Sequence, residues 1–147
     1  AGGIADGRGV AAVFMLGAQG VQVGTRFLCA KECQVHPNYK KKILAARDID
    51  TVVTGKRLGH PVRCLKNPFA RAFGQMEYDS SLTNEEIEAF GAGSLRKAAV
   101  EGDMENGSIM AGQIAALVKE EQPAAQIIRE MFAQAEQLLA EAAKWVR

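Results

Sequence analysis

The stretches that decide the fold are Ala1-Gly-Gly-Ile-Ala-Asp-Gly7 and Gly20-Val-Gln-Val-Gly-Thr25. The first predicts a glycine-rich turn that opens a helix reaching Leu16, with Asp6 as its N-cap. The second predicts a short buried strand over residues 20–24, because two valines alternate about a glutamine. A glycine loop at a helix N-terminus, next to a strand that ends in Gly-Thr, can hold a phosphate group from two sides.

Together with three later blocks, these stretches resemble the FMN-dependent enoyl-acyl-carrier-protein reductase II family. The later blocks are His36-Pro-Asn-Tyr-Lys40, Gly59-His-Pro-Val-Arg-Cys-Leu-Lys-Asn67 and Gly107-Ser-Ile-Met-Ala-Gly-Gln-Ile114. The nitronate monooxygenases share the fold and have similar turns. The blocks stand in the family's order, so the resemblance covers nearly the whole chain.

The resemblance implies an α/β protein that is the C-terminal part of a TIM (β/α)₈ barrel with an added, mostly helical segment. A complete barrel needs about 200 residues or more, and this chain has 147. We therefore expect the N-terminal part of the same enzyme as a partner. Residues 1–49 are expected to hold the phosphate-binding turns, the last strand and a helix. Residues 50–106 are expected to form an extended and helical excursion over the barrel mouth, and residues 107–147 to form C-terminal helices.

Local signals predict most of the remaining elements. Proline at a first helical turn, side-chain caps and amphipathic spacing indicate helices, and β-prone residues punctuated by glycine indicate a hairpin-like excursion at residues 50–66. On the helix after His36, Lys40 is expected to point to solvent. The predicted helices run from Pro37 to Ala46, from Asn67 or Pro68 to Met76, from Thr83, from Ser94 to Val100, from Ile109 to Lys119, and from Pro123 onward.

The resemblance also implies which residues contact the flavin. Without it, two ordinary glycine turns would explain the pattern equally well, because glycine loops are common. The positions that match the family's flavin contacts are Gly2, Gly3, Gln22, Val23, Gly24 and Thr25.

The block that starts at Gly107 is expected to lie near the flavin. Small residues at a helix start permit close approach to a ligand. Ser108 is predicted to be an N-cap and Gln113 to face the core as a polar exception. We expect Ser108, Met110 and Gln113 to border the active site.

The sequence names no catalytic residue and no metal site. The resemblance places the active-site histidine in the N-terminal half of the enzyme, and neither His36 nor His60 occupies that motif. Cys29 and Cys33 lack a second ligand pair at zinc spacing. An odd number of cysteines favours reduced thiols in a cytoplasmic protein.

Composition and charge narrow the class of partner. The chain is 48% hydrophobic and 24% charged, with a formal net charge of +1. That balance gives no case for nucleic acid or a membrane as a partner. Basic residues concentrate between Lys40 and Arg71, which indicates either a solvated face or a docking patch for an acidic carrier protein.

As to function, the resemblance implies reduction of the 2,3-double bond of enoyl thioesters on acyl carrier protein in fatty acid biosynthesis. The implied cofactor is FMN, with NADH or NADPH as co-substrate. A homodimer and stimulation by a monovalent cation are expected by the same analogy. Two alternatives stay open: a nitronate monooxygenase with oxygen as acceptor, and a non-catalytic helical fragment that acts as an interaction module.

Overall fold

The computed structural model describes residues 1–145 and contains both helices and strands in that range. The α-helices are Gly7–Met15 (α1), Thr25–Leu28 (α2), Pro37–Leu44 (α3), Pro68–Tyr78 (α4), Asn84–Gly91 (α5), Ser94–Ala99 (α6) and Ala124–Glu141 (α7). The strands are Thr51–Thr54 (β1) and Val62–Leu65 (β2), and two 3₁₀ helices cover Gln113–Leu117 and Ala142–Trp145. Among the described residues, no helix is long and apolar enough to cross a bilayer.

Helix α1 packs against α7 at a glycine. The predicted Asp6 cap is confirmed, since its side chain accepts a hydrogen bond from the Arg8 N–H at 3.0 Å. A Cβ on Gly7 would lie 2.6 Å from Cβ of Gln134 and 2.7 Å from the Ala135 nitrogen, so only glycine allows this approach. Around the contact, a buried cluster contains Ile4, Val10, Ala11, Ala30, Ile127, Met131 and Ala135.

The predicted hairpin is confirmed. β1 and β2 are antiparallel, with Thr51 opposite Leu65 and Thr54 opposite Val62. The turn requires Gly55, which has φ of 79° and whose added Cβ would collide with the His60 carbonyl oxygen. Residues 50–66, which were predicted to be hairpin-like, therefore contain a short two-stranded sheet.

The helix predicted from Ile109 to Lys119 is wrong. Residues 109–111 instead run along the free edge of β2: Leu65 N–H donates to the Ile109 carbonyl at 2.8 Å, and Ala111 N–H donates to the Arg63 carbonyl at 3.1 Å. Backbone groups engaged with a strand cannot also form helical hydrogen bonds. Only the 3₁₀ helix Gln113–Leu117 remains of the expected helix.

Two predictions for the block Gly107 to Ile114, called the late block below, are wrong for the same reason. The buried residue Ser108 caps no helix, because the next helix, Gln113–Leu117, has Gly112 at its N-cap. The Ser108 N–H donates instead to the Ser94 carbonyl at 3.0 Å. Gln113 is exposed rather than directed at the core. Both predictions assumed helical spacing that this segment does not have.

The strand predicted over residues 20–24 is also not formed. A strand is stabilised by hydrogen bonds to a neighbouring strand, and within residues 1–145 no backbone hydrogen bond joins residues 21–23 to another segment. The alternating valines are nevertheless half-buried and pack on the cluster between α1 and α7.

Helix α3 forms a second core with β2 and the segment that pairs with it. Its buried face carries Tyr39 and Ile43, which pack with Leu65 and Ile109. Lys40 was expected at the surface, and that prediction is wrong: it is 6% exposed. Its ammonium group donates to the Ala30 carbonyl at 2.7 Å and to the Glu121 carboxylate at 3.1 Å, which offsets the cost of burying the charge.

The two helices that follow the hairpin begin at or next to the predicted residues, and each is capped by a side chain. Asn67 accepts a hydrogen bond from Ala70 N–H at 2.8 Å at the start of α4. Thr83 and Glu86 form a reciprocal capping box at the start of α5. Phenylalanines from both helices pack together, with the rings of Phe69 and Phe90 stacked at 5.3 Å.

Candidate functional site

The first glycine turn has the backbone geometry that the flavin prediction needs. Gly2 and Gly3 have φ of 81° and 74°, values that side-chain-bearing residues rarely adopt. Both are exposed, and an added Cβ on either would meet no atom within 4 Å. The space in the side-chain direction is thus open at both glycines, and the turn leaves room for a ligand there.

The N-terminus of α1 is already occupied by protein groups. Gly7 N–H donates to the Gln134 side-chain oxygen at 2.8 Å, and Arg8 N–H donates to Asp6. The hydrogen bond from the Arg8 side chain holds the pKa of Asp6 below its usual range. Asp6 therefore remains an anion at this helix end, so an added phosphate would depend on the preceding turn rather than on the helix terminus.

The second turn, Gln22 to Thr25, is tied to the late block by one side chain. Thr25 Oγ1 accepts a hydrogen bond of 2.8 Å from Gly112 N–H. A hydroxyl that accepts keeps its own O–H for donation. Gln22 and Gly24 are exposed, and space for a Cβ is open at Gly24.

The hydrophobic cluster between α1 and α7 brings the two turns to the same part of the molecule. Ile4 directly follows Gly3, and Val23 directly precedes Gly24. Ile4 and Val23 pack in one cluster. The side chains next to each turn therefore share a core, while the glycines themselves stay exposed.

A cavity of about 500 Å³ adjoins the second turn. Its walls are mainly apolar, and Arg63 is the only charged residue that lines it within the described part of the chain. The lining residues are Gly24, Thr25, Leu28, Val35, Tyr39, Arg63, Leu95, Ala99, Met110, Ala111 and Gly112.

Tyr39 fixes one wall of this cavity. Its hydroxyl donates to the Met110 carbonyl at 2.7 Å. Burial raises the pKa of Tyr39 to about 12, so the phenol keeps its proton across the neutral range. The role that fits is a structural donor that holds the Met110 backbone rather than an acid–base group.

The late block contributes unevenly to the cavity. Met110 lines it, as do the two residues after it. Ser108 is buried away from this lining, and Gln113 is exposed beyond it. Tyr39, Arg63 and Gly112 were not identified as site residues from the sequence, because the cavity wall combines α3, β2 and the segment after Ile109, which are distant in sequence.

The basic stretch from Lys40 to Arg71 is not uniformly solvated. Lys40 is buried, and Arg63 lines the cavity. Arg47 binds both carboxylate oxygens of Asp50, at 3.1 and 3.0 Å, and lowers the pKa of that carboxyl group. These three basic residues therefore have separate local environments, and whether the exposed ones bind a carrier protein stays a prediction.

The histidines and cysteines have structural positions. His36 Nδ1 accepts from Asn38 N–H at 3.1 Å at the start of α3, and His60 is exposed in the hairpin turn. Burial raises the pKa of Cys29 to about 11 and also raises that of Cys64. Across residues 1–145, no three His, Cys, Asp or Glu side chains are grouped as metal ligands.

Comparison with known proteins places this geometry in a family. Residues 1–134 match the family model for nitronate monooxygenase. A probable nitronate monooxygenase from Staphylococcus saprophyticus is 39% identical over 120 residues, covering 81% of this chain and 33% of that protein. A Bacillus subtilis protein of the same description is 33% identical and is covered to 38% of its length.

Solved structures extend the similarity to nearly the full length of this chain. FabK from Thermotoga maritima superposes with a TM-score of 0.92 at 48% identity, over 99% of this chain and 46% of that one. Nitroalkane oxidase from Streptomyces ansochromogenes superposes with a TM-score of 0.75 at 27% identity, over 99% of this chain and 40% of that one. The chain thus spans less than half the length of these relatives.

Proposed function

The chain belongs to the nitronate monooxygenase family, and from that premise we propose that it supplies the phosphate side of an FMN site in an oxidoreductase. The proposal includes the fold expected from the sequence, namely the C-terminal part of a (β/α)₈ barrel. In such barrels, loops near the end of the chain commonly bind phosphate. The exposed positive-φ turn at Gly2 and Gly3 carries the proposal.

The residues at the two turns fit a flavin phosphate. Backbone N–H groups around Gly3 and Gly24, together with the Thr25 hydroxyl, would donate hydrogen bonds to its oxygens. The open space at both glycines lets an anion approach the backbone closely. Gln22 and Val23 belong to the same proposed contact set. When bound, FMN supplies the hydride chemistry, while these residues fix its position.

For the reaction, we propose reduction of the 2,3-double bond of an enoyl thioester carried on acyl carrier protein, with NADH or NADPH as reductant. The similarity to FabK supports this choice, since it exceeds that to nitroalkane oxidase in both TM-score and identity. The apolar cavity beside Thr25 suits an acyl chain. Met110 would contact that chain, and Tyr39 would hold the Met110 backbone in place. Ser108 and Gln113 do not line the cavity, so we propose no direct contact between them and the acyl chain.

The second candidate is a nitronate monooxygenase, which the family model and the bacterial relatives support. The two activities differ in the electron acceptor. NADH consumption with crotonyl thioester under nitrogen would support the reductase, whereas oxygen-dependent oxidation of a nitronate without NADH would support the monooxygenase. Flavin binding with neither activity would favour the non-catalytic interpretation.

The flavin site itself is tested by substitution at its glycine turn. In the enzyme that carries this chain, Gly3→Val should weaken FMN binding at least about tenfold, because its side chain would occupy the phosphate space. Gly17→Val is the matched control, since Gly17 is also exposed, has φ of 93° and has open space at Cβ. Equal FMN affinity of the two variants in a fluorescence titration would refute the assignment.

A further inference from the structure

We propose that Arg63 binds a phosphate group of a ligand that fills the apolar cavity beside Thr25. This inference rests on the proposed flavin-dependent function, which brings three phosphate-bearing molecules to the enzyme. These are FMN itself, the nicotinamide dinucleotide, and the phosphopantetheine arm that carries the thioester. All three present the same oxyanion chemistry to a guanidinium group.

The cavity wall is mainly apolar, and Arg63 is its only charged residue within residues 1–145. Side chains such as Leu28, Val35 and Leu95 form much of the lining, and no carboxylate among residues 1–145 contributes to it. A cation in low-dielectric surroundings attracts an anion more strongly than a cation in water. Such a cavity suits a ligand with an apolar body and an anionic group.

The Arg63 side chain is held in place but has donors to spare. One guanidinium nitrogen donates to Thr51 Oγ1 at 3.0 Å. A guanidinium has five N–H donors, and Arg63 forms no ion pair with any residue in the described part of the chain. Arg47 shows the contrast, since its guanidinium is committed to Asp50.

The backbone also fixes where Arg63 stands. Its carbonyl accepts a hydrogen bond from Ala111 N–H, and Ala111 lies between Met110 and Gly112 in the cavity wall. Gly112 is in turn bonded to Thr25. Arg63 and the proposed phosphate-binding turn are thus linked by two backbone hydrogen-bond donors from adjacent residues.

The test compares Arg63→Met with Arg71→Met in the enzyme that carries this chain. Arg71 is exposed, lies outside the cavity and has no ion pair among the described residues, so the control removes the same charge. Three constants are measured: the Kd for FMN by fluorescence, the Kd for NADH by titration of the flavin-loaded enzyme, and the KM for crotonyl-coenzyme A. At least one should rise roughly 10- to 100-fold in Arg63→Met, which is the loss expected for a charge-assisted hydrogen bond.

The constant that changes identifies the source of the phosphate. If the thioester supplies the phosphate, the KM for crotonyl-N-acetylcysteamine, which lacks phosphate, should be the same in Arg63→Met as in the unmodified enzyme. Riboflavin is the phosphate-free probe that replaces FMN, and reduced nicotinamide riboside is the one that replaces NADH. Equal losses with phosphate-bearing and phosphate-free ligands, or no loss in any constant, would overturn the assignment. Absence of enoyl reduction in the unmodified enzyme would refute the reductase proposal and leave the two binding tests valid.

Discussion

The hydroxyl oxygen of Thr25 accepts a hydrogen bond from the backbone of Gly112, a residue 87 positions later in the chain. The bond joins the proposed phosphate turn to the segment that pairs with β2. Removal of this hydroxyl should therefore affect both ligand affinity and the position of Gly112 in the cavity wall.

Thr25→Val should weaken FMN binding while Thr25→Ser should not. Valine keeps the shape but removes both the acceptor for Gly112 and the proposed donor to phosphate. Loss of such bonds corresponds to about 1–2 kcal/mol, or roughly a tenfold rise in Kd. Fluorescence titration of FMN measures the effect. Equal affinity of the valine and serine variants would show that the hydroxyl does not contact the flavin.

Gly7→Ala should destabilise the fold because its methyl group would enter the backbone of α7. Overpacking of this kind costs about 1–3 kcal/mol. Gly74→Ala is the control, since that helical position in α4 has no atom within 4 Å of an added Cβ, and a gain of about 0.5–1 kcal/mol is expected there. Urea unfolding compares the two, and loss of stability in both would contradict the packing argument.

Asn67→Ala should cost more than the loss of an ordinary helix cap. The side chain caps α4, and its amide also donates to the carbonyls of Met104 and Gly107 at 2.9 and 2.8 Å. Truncation leaves these groups without partners, so we expect a loss of about 2–4 kcal/mol. Thr83→Ala, at an exposed cap, should cost only about 1 kcal/mol. Similar unfolding midpoints for both variants would argue against the added role of Asn67.

Alkaline pH should destabilise the protein through Cys29. Burial raises the pKa of this thiol from 9.0 to about 11, so the folded state holds the proton more tightly than the unfolded state. Its contribution is complete below pH 9 and is lost as pH rises to 11, in total of the order of 2 kcal/mol. Cys29→Ala should flatten the decline in unfolding free energy over this range. An unchanged pH profile would contradict the expected protonation.

Local sequence signals accounted for the elements whose hydrogen bonds are local. The caps at Asp6 and Thr83 depend on residues two and three positions away, and the hairpin pairs Thr51 with Leu65 at its widest. Each was predicted. Residues 109–111 pair instead with β2, more than 40 positions earlier in the chain. A helix-like spacing of apolar residues carries no information about such a partner.

The same limit applies to the site. The glycine turn could be located from sequence because positive φ nearly requires glycine. The burial of Lys40 depends on Glu121, 81 residues away, so it was not foreseeable from a run of three lysines. Arg63 likewise enters the cavity wall only after the hairpin forms.

The contact between α1 and α7 has a consequence for how the protein is made. Gly7 and Gln134 are 127 residues apart. Because ribosomes add about 5–20 residues per second, Gln134 is synthesised roughly 6–25 s after Gly7. During synthesis the apolar face of α1, with the glycine turn before it, has no α7 to cover it. Stable closure of this part of the chain, and any cofactor loading that depends on it, follows the emergence of α7 from the ribosome.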